Sequence, residues 1–181
     1  MPITADHIRA TLTRYTTAHP EDAPALAPLH ALLDGGADVT ARSEVRGHVT
    51  AGAVLVNEWR EALLIHHVAL DRWLTPGGHL ESDDTDLMNA ALRELFEETG
   101  IGVGVAPVGS VPIHVDIHDI PANAAKNEPA HWHADFRYVF RTLDDRHAVS
   151  LQQEEVTDYA WRNVETIADR KLRSRVLAAL I

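Results

Sequence analysis

The densest chemistry in the chain lies in the nine residues Arg93-Glu94-Leu95-Phe96-Glu97-Glu98-Thr99-Gly100-Ile101. On a helix turning about 100° per residue, with Glu94 as origin, Glu98 falls near +40° and Glu97 near −60°. All three carboxylates then share one face, while Met88, Ala91, Leu92 and Leu95 form the adjacent apolar face. Left alone the acid cluster is unfavourable. Glu94 and Glu98 are like charges four residues apart, a cost of a few tenths of a kcal/mol, and both approach the negative end of the helix dipole. A bound hard cation reverses both penalties, and magnesium favours oxygen ligands shared with substrate phosphates. Taken alone, the helix is equally well explained as a solvated acidic face. The preceding Pro76-Gly77-Gly78-His79-Leu80-Glu81 breaks the tie. Its glycines let a backbone carbonyl approach a metal closely, and Glu81 adds a fourth carboxylate.

Together these residues resemble the box of the Nudix hydrolase family: Gly, five residues, Glu, seven residues, then Arg-Glu-U-x-Glu-Glu-x-Gly-U, with U aliphatic. Arg93, Glu94, Leu95, Glu97, Glu98, Gly100 and Ile101 match every fixed position of the second half. Gly78 and Glu81 fit the first half, whereas Asp84 stands where the family has Glu. Eight residues rather than seven separate Asp84 from Arg93, a one-residue insertion before the helix.

The resemblance implies an α/β fold, the family's α/β/α sandwich around a mixed β-sheet. It also implies a metal-dependent hydrolase that cleaves a pyrophosphate bond in a nucleoside diphosphate derivative by water attack at phosphorus. By the same resemblance, Mg²⁺ or Mn²⁺ is held by Glu94, Glu97 and Glu98 with the Gly78 carbonyl. Glu94 orients or deprotonates the water, and Arg93 holds Glu94 by a charged hydrogen bond. In several family members the base comes from another loop; here Glu154-Glu155 is a candidate, and a solvated acidic turn explains it as well. The expected partner is a small nucleoside diphosphate-type substrate, and a homodimer is frequent in the family.

The elements that must position these groups are legible in outline. Ile8, Leu12 and Tyr15, then Leu26, Leu29 and Leu33, mark two short helices stopped at His19-Pro20 and Gly35-Gly36. Residues 1–40 thus read as a helical hairpin packed on a main domain of residues 41–181. Strands are expected at His48–Val56, Ala62–His67, Val103–Val108, Val111–His118, Ala134–Arg141 and Val156–Trp161. A helix covers Thr85 to Thr99, Ile120–Pro129 is a loop, and Val164 to Leu180 close the chain as an amphipathic helix.

Composition narrows the partners. The chain has 181 residues, 16 Lys+Arg against 27 Asp+Glu, a net charge of −11 and no cysteine. The charge opposes nucleic acid and anionic membranes. The missing cysteine removes disulfides, thiolate zinc sites, thiol nucleophiles and the catalytic cysteine of isopentenyl diphosphate isomerase, which shares the general fold. No apolar run is long enough to span a bilayer, and the N-terminus lacks a signal-peptide pattern, so a cytoplasmic location is the default expectation. A non-catalytic Nudix-like ligand sensor is the alternative, disfavoured because such modules commonly lose box carboxylates.

Twelve histidines form a second unusual feature. His114, Asp116 and His118 share strand parity, as do His131, His133 and Asp135. Paired, these strands would gather a patch able to bind a transition metal or touch phosphate. The plainer account, preferred because register cannot be read from sequence, is a groove-facing surface without metal. Trp132, Phe136, Tyr159 and Trp161 are candidates to stack on a base, with core packing the commoner use. Arg60, Arg72 and Lys126 are candidate cations for a polyphosphate. The positions past the box where relatives carry subgroup markers hold Asp116, His118 and Asp119 here, so no substrate subgroup is assigned.

Overall fold

The computed structural model describes residues 2–124, 128–143 and 149–180; Lys126 lies outside them. In chain order the elements are α1 (Ala5–Ala18), a 3₁₀ turn (Pro20–Leu26), α2 (Ala27–Asp34), β1 (Gly47–Val56), β2 (Glu61–His67), β3 (Arg72–Leu74), β4 (Gly77–His79), α3 (Leu87–Thr99), β5 (Val105–Pro107), β6 (His114–Ile120), β7 (His131–Thr142), β8 (Val156–Asn163), a 3₁₀ turn (Val164–Thr166) and α4 (Arg170–Ala179). No helix among the described residues is long and apolar enough to cross a membrane.

The sheet is mixed. β1 is buried along its whole length and pairs in parallel with β7 from Gly47↔Trp132 to Val56↔Arg141. Its other edge carries β4 at the first half and β2 at the end, both antiparallel. β6 and β5 pair with the outer edge of β7, and β2 carries β3 and β8.

Alternation along β1 sorts the two faces. Val49, Ala51, Ala53 and Leu55 join Leu87, Ala90, Ala91 and Leu95 of α3, with Ile8, Leu12, Tyr15, Leu26 and Leu29 from the N-terminal helices. Val54 and Val56 face Val139, Val164, Ile167, Leu172 and Val176 instead, so α4 covers the far end of the opposite face. The near end of that face is polar, and carries His48 and Thr50.

Most strand expectations hold within a few residues; β3 lies outside them and β6 runs from His114 to Ile120 rather than from Val111 to His118. Gly77–His79, outside the expected strands, is a strand because β1 offers it an edge. β5 shrinks to Val105–Pro107. β7 begins at His131 because its parallel partner starts at Gly47.

A buried ionic group fastens the N-terminal helices to α4. Arg175 donates to Asp22 at 2.7 Å, to Tyr15 Oη at 2.5 Å and to Glu21 at 2.6 Å, while Lys171 reaches Asp22 at 2.6 Å. Asp22 is 2% exposed. Burial pushes its carboxyl up, but the bonds from Arg175, Lys171 and Tyr15 outweigh that and hold it below the usual carboxylate range. Its stabilising contribution is therefore present above the ordinary carboxylate pKa and fades as pH falls through it. Replacing Arg175 with Met should cost about 3 kcal/mol in urea unfolding at neutral pH. The gap between wild type and Asp22→Asn should narrow on going to about pH 3; a gap that widens contradicts this assignment.

Candidate functional site

α3 starts where the Asp86 side chain accepts from the Asn89 amide at 2.9 Å, a conventional N-cap. It ends at Gly100, whose φ of 73° is left-handed and whose amide returns to the Phe96 carbonyl at 2.7 Å. These two stops fix the rotation of the helix, and hence which carboxylates face inward. Glu94 and Glu98 are 8% and 2% exposed, turned toward β4. Glu97 stands outside, its carboxylate 2.8 Å from Arg93. The three thus share a helix face as expected, with one at its rim.

Gly78 explains itself by crowding. A Cβ there would lie 2.6 Å from Glu94 Oε1 and 2.8 Å from Oε2, so only glycine lets β4 lie against that carboxylate. Next to it, the Gly77 amide donates to Glu98 Oε2 at 3.0 Å. Gly77 itself packs on β1, where a Cβ would come within 2.8 Å of Gly52 Cα.

Arg93 organises the remainder. Its Nε and Nη2 grip both oxygens of Asp84 at 3.0 Å, and Nη2 also donates to the His79 carbonyl at 2.9 Å. Its Nη1 reaches Glu94 at 3.0 Å and Glu97 at 2.8 Å. The planar fork therefore ties loop, strand and helix together, which an ammonium cannot do. Asp84, the departure from the family pattern, is 6% exposed; besides gripping Arg93 it accepts from the Glu81 amide at 2.8 Å. Despite the inserted residue it acts on the arginine. Glu81 is exposed, 4.0 Å from Arg93.

The electrostatics leave a deficit of positive charge. Burial pushes the Glu94 carboxyl up to about 7, with Arg93 pulling it down and Glu97 and Glu155 pushing it further up. Burial pushes Glu98 up to about 8; the Gly77 amide opposes this, and Glu94, Glu155 and Glu97 reinforce it. Among the described residues no ion pair reaches Glu98. Two desolvated carboxylates and a third at the rim, all oxygen donors, suit a hard divalent cation. Glu155 lies close enough to repel both buried groups, and it and Glu154 are exposed on the same turn.

Other expected residues disperse. Phe136 is fully buried, Trp132 and Trp161 pack against the core, and Tyr159 is exposed. Arg60 and Arg72 are exposed in or beside turns of the β2 region. The His/Asp patch divides. Asp116 and Asp135 pair with Arg137 at 2.9 and 2.8 Å, and His114 sits beside Arg175. His131 and His133 instead meet His48 and His79. These last two were missed because their strands join the patch only through β1; the signal available was the even parity of His48 with Thr50 and Gly52.

Asp84 and Arg93 should behave as one unit. In a double-mutant cycle with Arg93→Met and Asp84→Asn, unfolding free energies should show a coupling of about 1–2 kcal/mol. Simple additivity rules out the described grip.

Comparison with known proteins agrees with this geometry. A NUDIX domain model matches residues 46–180. A probable DHNTP pyrophosphohydrolase of Lactococcus lactis is 34% identical over 110 residues, which is 58% of this chain and 63% of that protein. The phosphatase NudJ of Escherichia coli K12 is 47% identical over 57 residues, 30% of this chain and 35% of its own length. Either match thus spans less than two thirds of the relative. The fold resembles a C. elegans Ap4A hydrolase binary complex with TM-score 0.56 at 22% identity, covering 73% of this chain and 96% of that one. It also resembles the E. coli dihydroneopterin triphosphate pyrophosphohydrolase with TM-score 0.55 at 15% identity, covering 72% and 92%. With the family model spanning well over half of its length, on the sheet and helix that carry Gly78, Arg93 and the three glutamates, the chain belongs to the NUDIX domain family.

Proposed function

We propose that the protein hydrolyses a pyrophosphate bond in a nucleoside diphosphate derivative, using Mg²⁺ or Mn²⁺. The observation that carries this reading is the pair Glu94 and Glu98, buried beside Gly78 with too little positive charge to balance them. Glu94, Glu97, Glu98 and the Gly78 carbonyl are the groups that would hold the cation. When bound, such a cation neutralises phosphate oxygens and makes phosphorus a better target for water. The names of the relatives support the class: a pyrophosphohydrolase, a phosphatase and an Ap4A hydrolase.

The chain's own residues supply the rest. Water oxygen forms a new bond to phosphorus while the bridging P–O bond breaks, and the bridging oxygen leaves with its electron pair on the second phosphate product. Glu94 is the group placed to orient the water or take its proton. Arg93 holds Glu94 in place through the hydrogen bond at 3.0 Å. Glu155 is a second acidic group facing the same space. Residues 1–40 serve as an extension docked on the catalytic domain of residues 41–181.

Glu97→Gln and Glu98→Gln should each lower Mg²⁺- or Mn²⁺-dependent turnover by about 100-fold or more with the circular dichroism unchanged. The assay is product release from a panel of nucleoside diphosphate derivatives, dihydroneopterin triphosphate and Ap4A included. Near-wild-type turnover in either variant removes this mechanism, and tight binding of one compound without turnover would make the protein a sensor.

The pH dependence has a definite sign. Both buried glutamates titrate above their ordinary 4.5, so between that value and about 8 the folded apoprotein holds protons that the unfolded chain has released. Stability from these groups therefore falls as pH rises, and cation binding must expel the protons. Mg²⁺ or Mn²⁺ should raise the melting temperature more at about pH 8 than at about pH 5.5, a difference Glu98→Gln should reduce. A larger rise at the acid end contradicts the assignment.

A further inference from the structure

We propose that His48, His79 and His133, with His131 beside them, form a second metal site that takes a borderline transition cation such as Zn²⁺, separate from the carboxylates of α3. Strand register builds it. His48 and His133 are directly paired in the parallel β1–β7 ladder, and His79 pairs with Thr50 on the opposite edge of β1. All project from the polar end of one sheet face. Gly78 points to the other face, against Glu94.

The ligand atoms of His48, His79 and His133 lie within 4.8 Å of one another. Four nitrogens around a tetrahedral zinc at 2.0–2.1 Å stand roughly 3.3 Å apart, a contraction that side-chain torsions supply without moving a strand. The His48 tautomer is already set for it. The Glu44 carbonyl can only accept, so its 3.2 Å contact with His48 Nδ1 places the proton there and leaves a lone pair on Nε2. That Nε2 is buried and has no hydrogen-bond partner among the described residues, in a side chain belonging to a residue 2% exposed. A buried acceptor nitrogen beside three other imidazoles is a ready ligand for a cation.

His131 repeats the pattern. Its Nδ1 faces the Pro129 carbonyl at 2.8 Å, which leaves Nε2 to accept from His133 Nε2 at 3.1 Å. A shared cation would replace this ring-to-ring hydrogen bond, with loss of the His133 Nε2 proton to Nδ1 or solvent. Ring centroids 4.7–5.0 Å apart link His48 with His79, His131 and His133. Burial also lowers the pKa values of His48, His79 (to about 4) and His133, so these rings are neutral ligands at pH 7. His118 touches His133 edge-on, with ring centroids 5.8 Å apart against 4.7–5.0 Å around His48, and stands at the edge of the cluster. Arg42 at the rim is paired with Glu128.

Imidazole nitrogen selects zinc, copper or nickel, whereas carboxylate and carbonyl oxygen select magnesium or manganese. The two sites are therefore separable by donor chemistry. A cation bound by the histidines would staple β1, β4 and β7 and brace His79, whose carbonyl receives Arg93.

The test uses the full-length chain without an affinity tag, stripped with chelator and then dialysed against Zn²⁺ in excess Mg²⁺. Elemental analysis should find one zinc per chain, and Co²⁺ in its place should show the visible absorption of a tetrahedral nitrogen site. His79→Gln and His131→Asn, less buried than His48, should weaken zinc binding by about 100-fold or about 10-fold respectively, while Glu98→Gln should retain it. Loss of the glutamate site alone would abolish turnover and leave zinc binding intact, so the two readings fail separately. No stoichiometric zinc, unchanged affinity in both histidine variants, or zinc lost only in Glu98→Gln would overturn the proposal.

Discussion

Two carboxylates that cannot be comfortably ionised are the constraint around which the structure is arranged. Glu94 and Glu98 lie inside the protein at the end of α3, where burial, each other and Glu155 all oppose their charge. One guanidinium reaches Glu94, and one backbone amide reaches Glu98. Hydrophobic side chains there would be more stable, since desolvating an unpaired carboxylate costs several kcal/mol. The sequence accepts that cost and surrounds it with devices that keep the groups in place. The Asp86 cap and Gly100 set the helix rotation, Gly78 lets a strand lie against Glu94, and Arg93 ties helix, strand and loop together.

How much of this could be read from the residues depends on whether the signal was local. The acidic helix and its stop at Gly100 follow from spacing inside a few turns, and the structure bears them out. The run Pro76-Gly77-Gly78 was equally visible, but its strand character was not, because a three-residue strand exists only where β1 offers it an edge. Asp84 is the sharper case. The inserted residue makes its distance from the helix unreadable along the chain, yet in space its carboxylate grips Arg93 with both oxygens. The half of the His/Asp patch that depended on β6–β7 pairing was foreseeable from parity. The half that depended on β1 was hidden, since parallel pairing between distant strands leaves no local mark.

The two faces of the sheet hold different chemistries. Toward α3 the donors are carboxylates, and on the other face they are imidazoles, with β4 only three residues long between them. Adjacent residues Gly78 and His79 serve opposite faces because a strand alternates. The N-terminal helices pack on the α3 face, are fixed to α4 by the group around Asp22 and Arg175, and lie outside the span matched by the family.

The parallel ladder between β1 and β7 has a consequence for how the molecule is made. Thr50 and Asp135, side by side in it, are 85 residues apart along the chain. Bringing such distant segments together spends loop-closure entropy before any contact repays it, so the central ladder must form slowly and late. α3 can gather its glutamates early, and β4 meets β1 locally, Gly52 against Gly77, on the edge away from β7. Synthesis must therefore proceed beyond β7 before the sheet is closed along the second edge of β1, behind the strand and helix that carry the acidic groups.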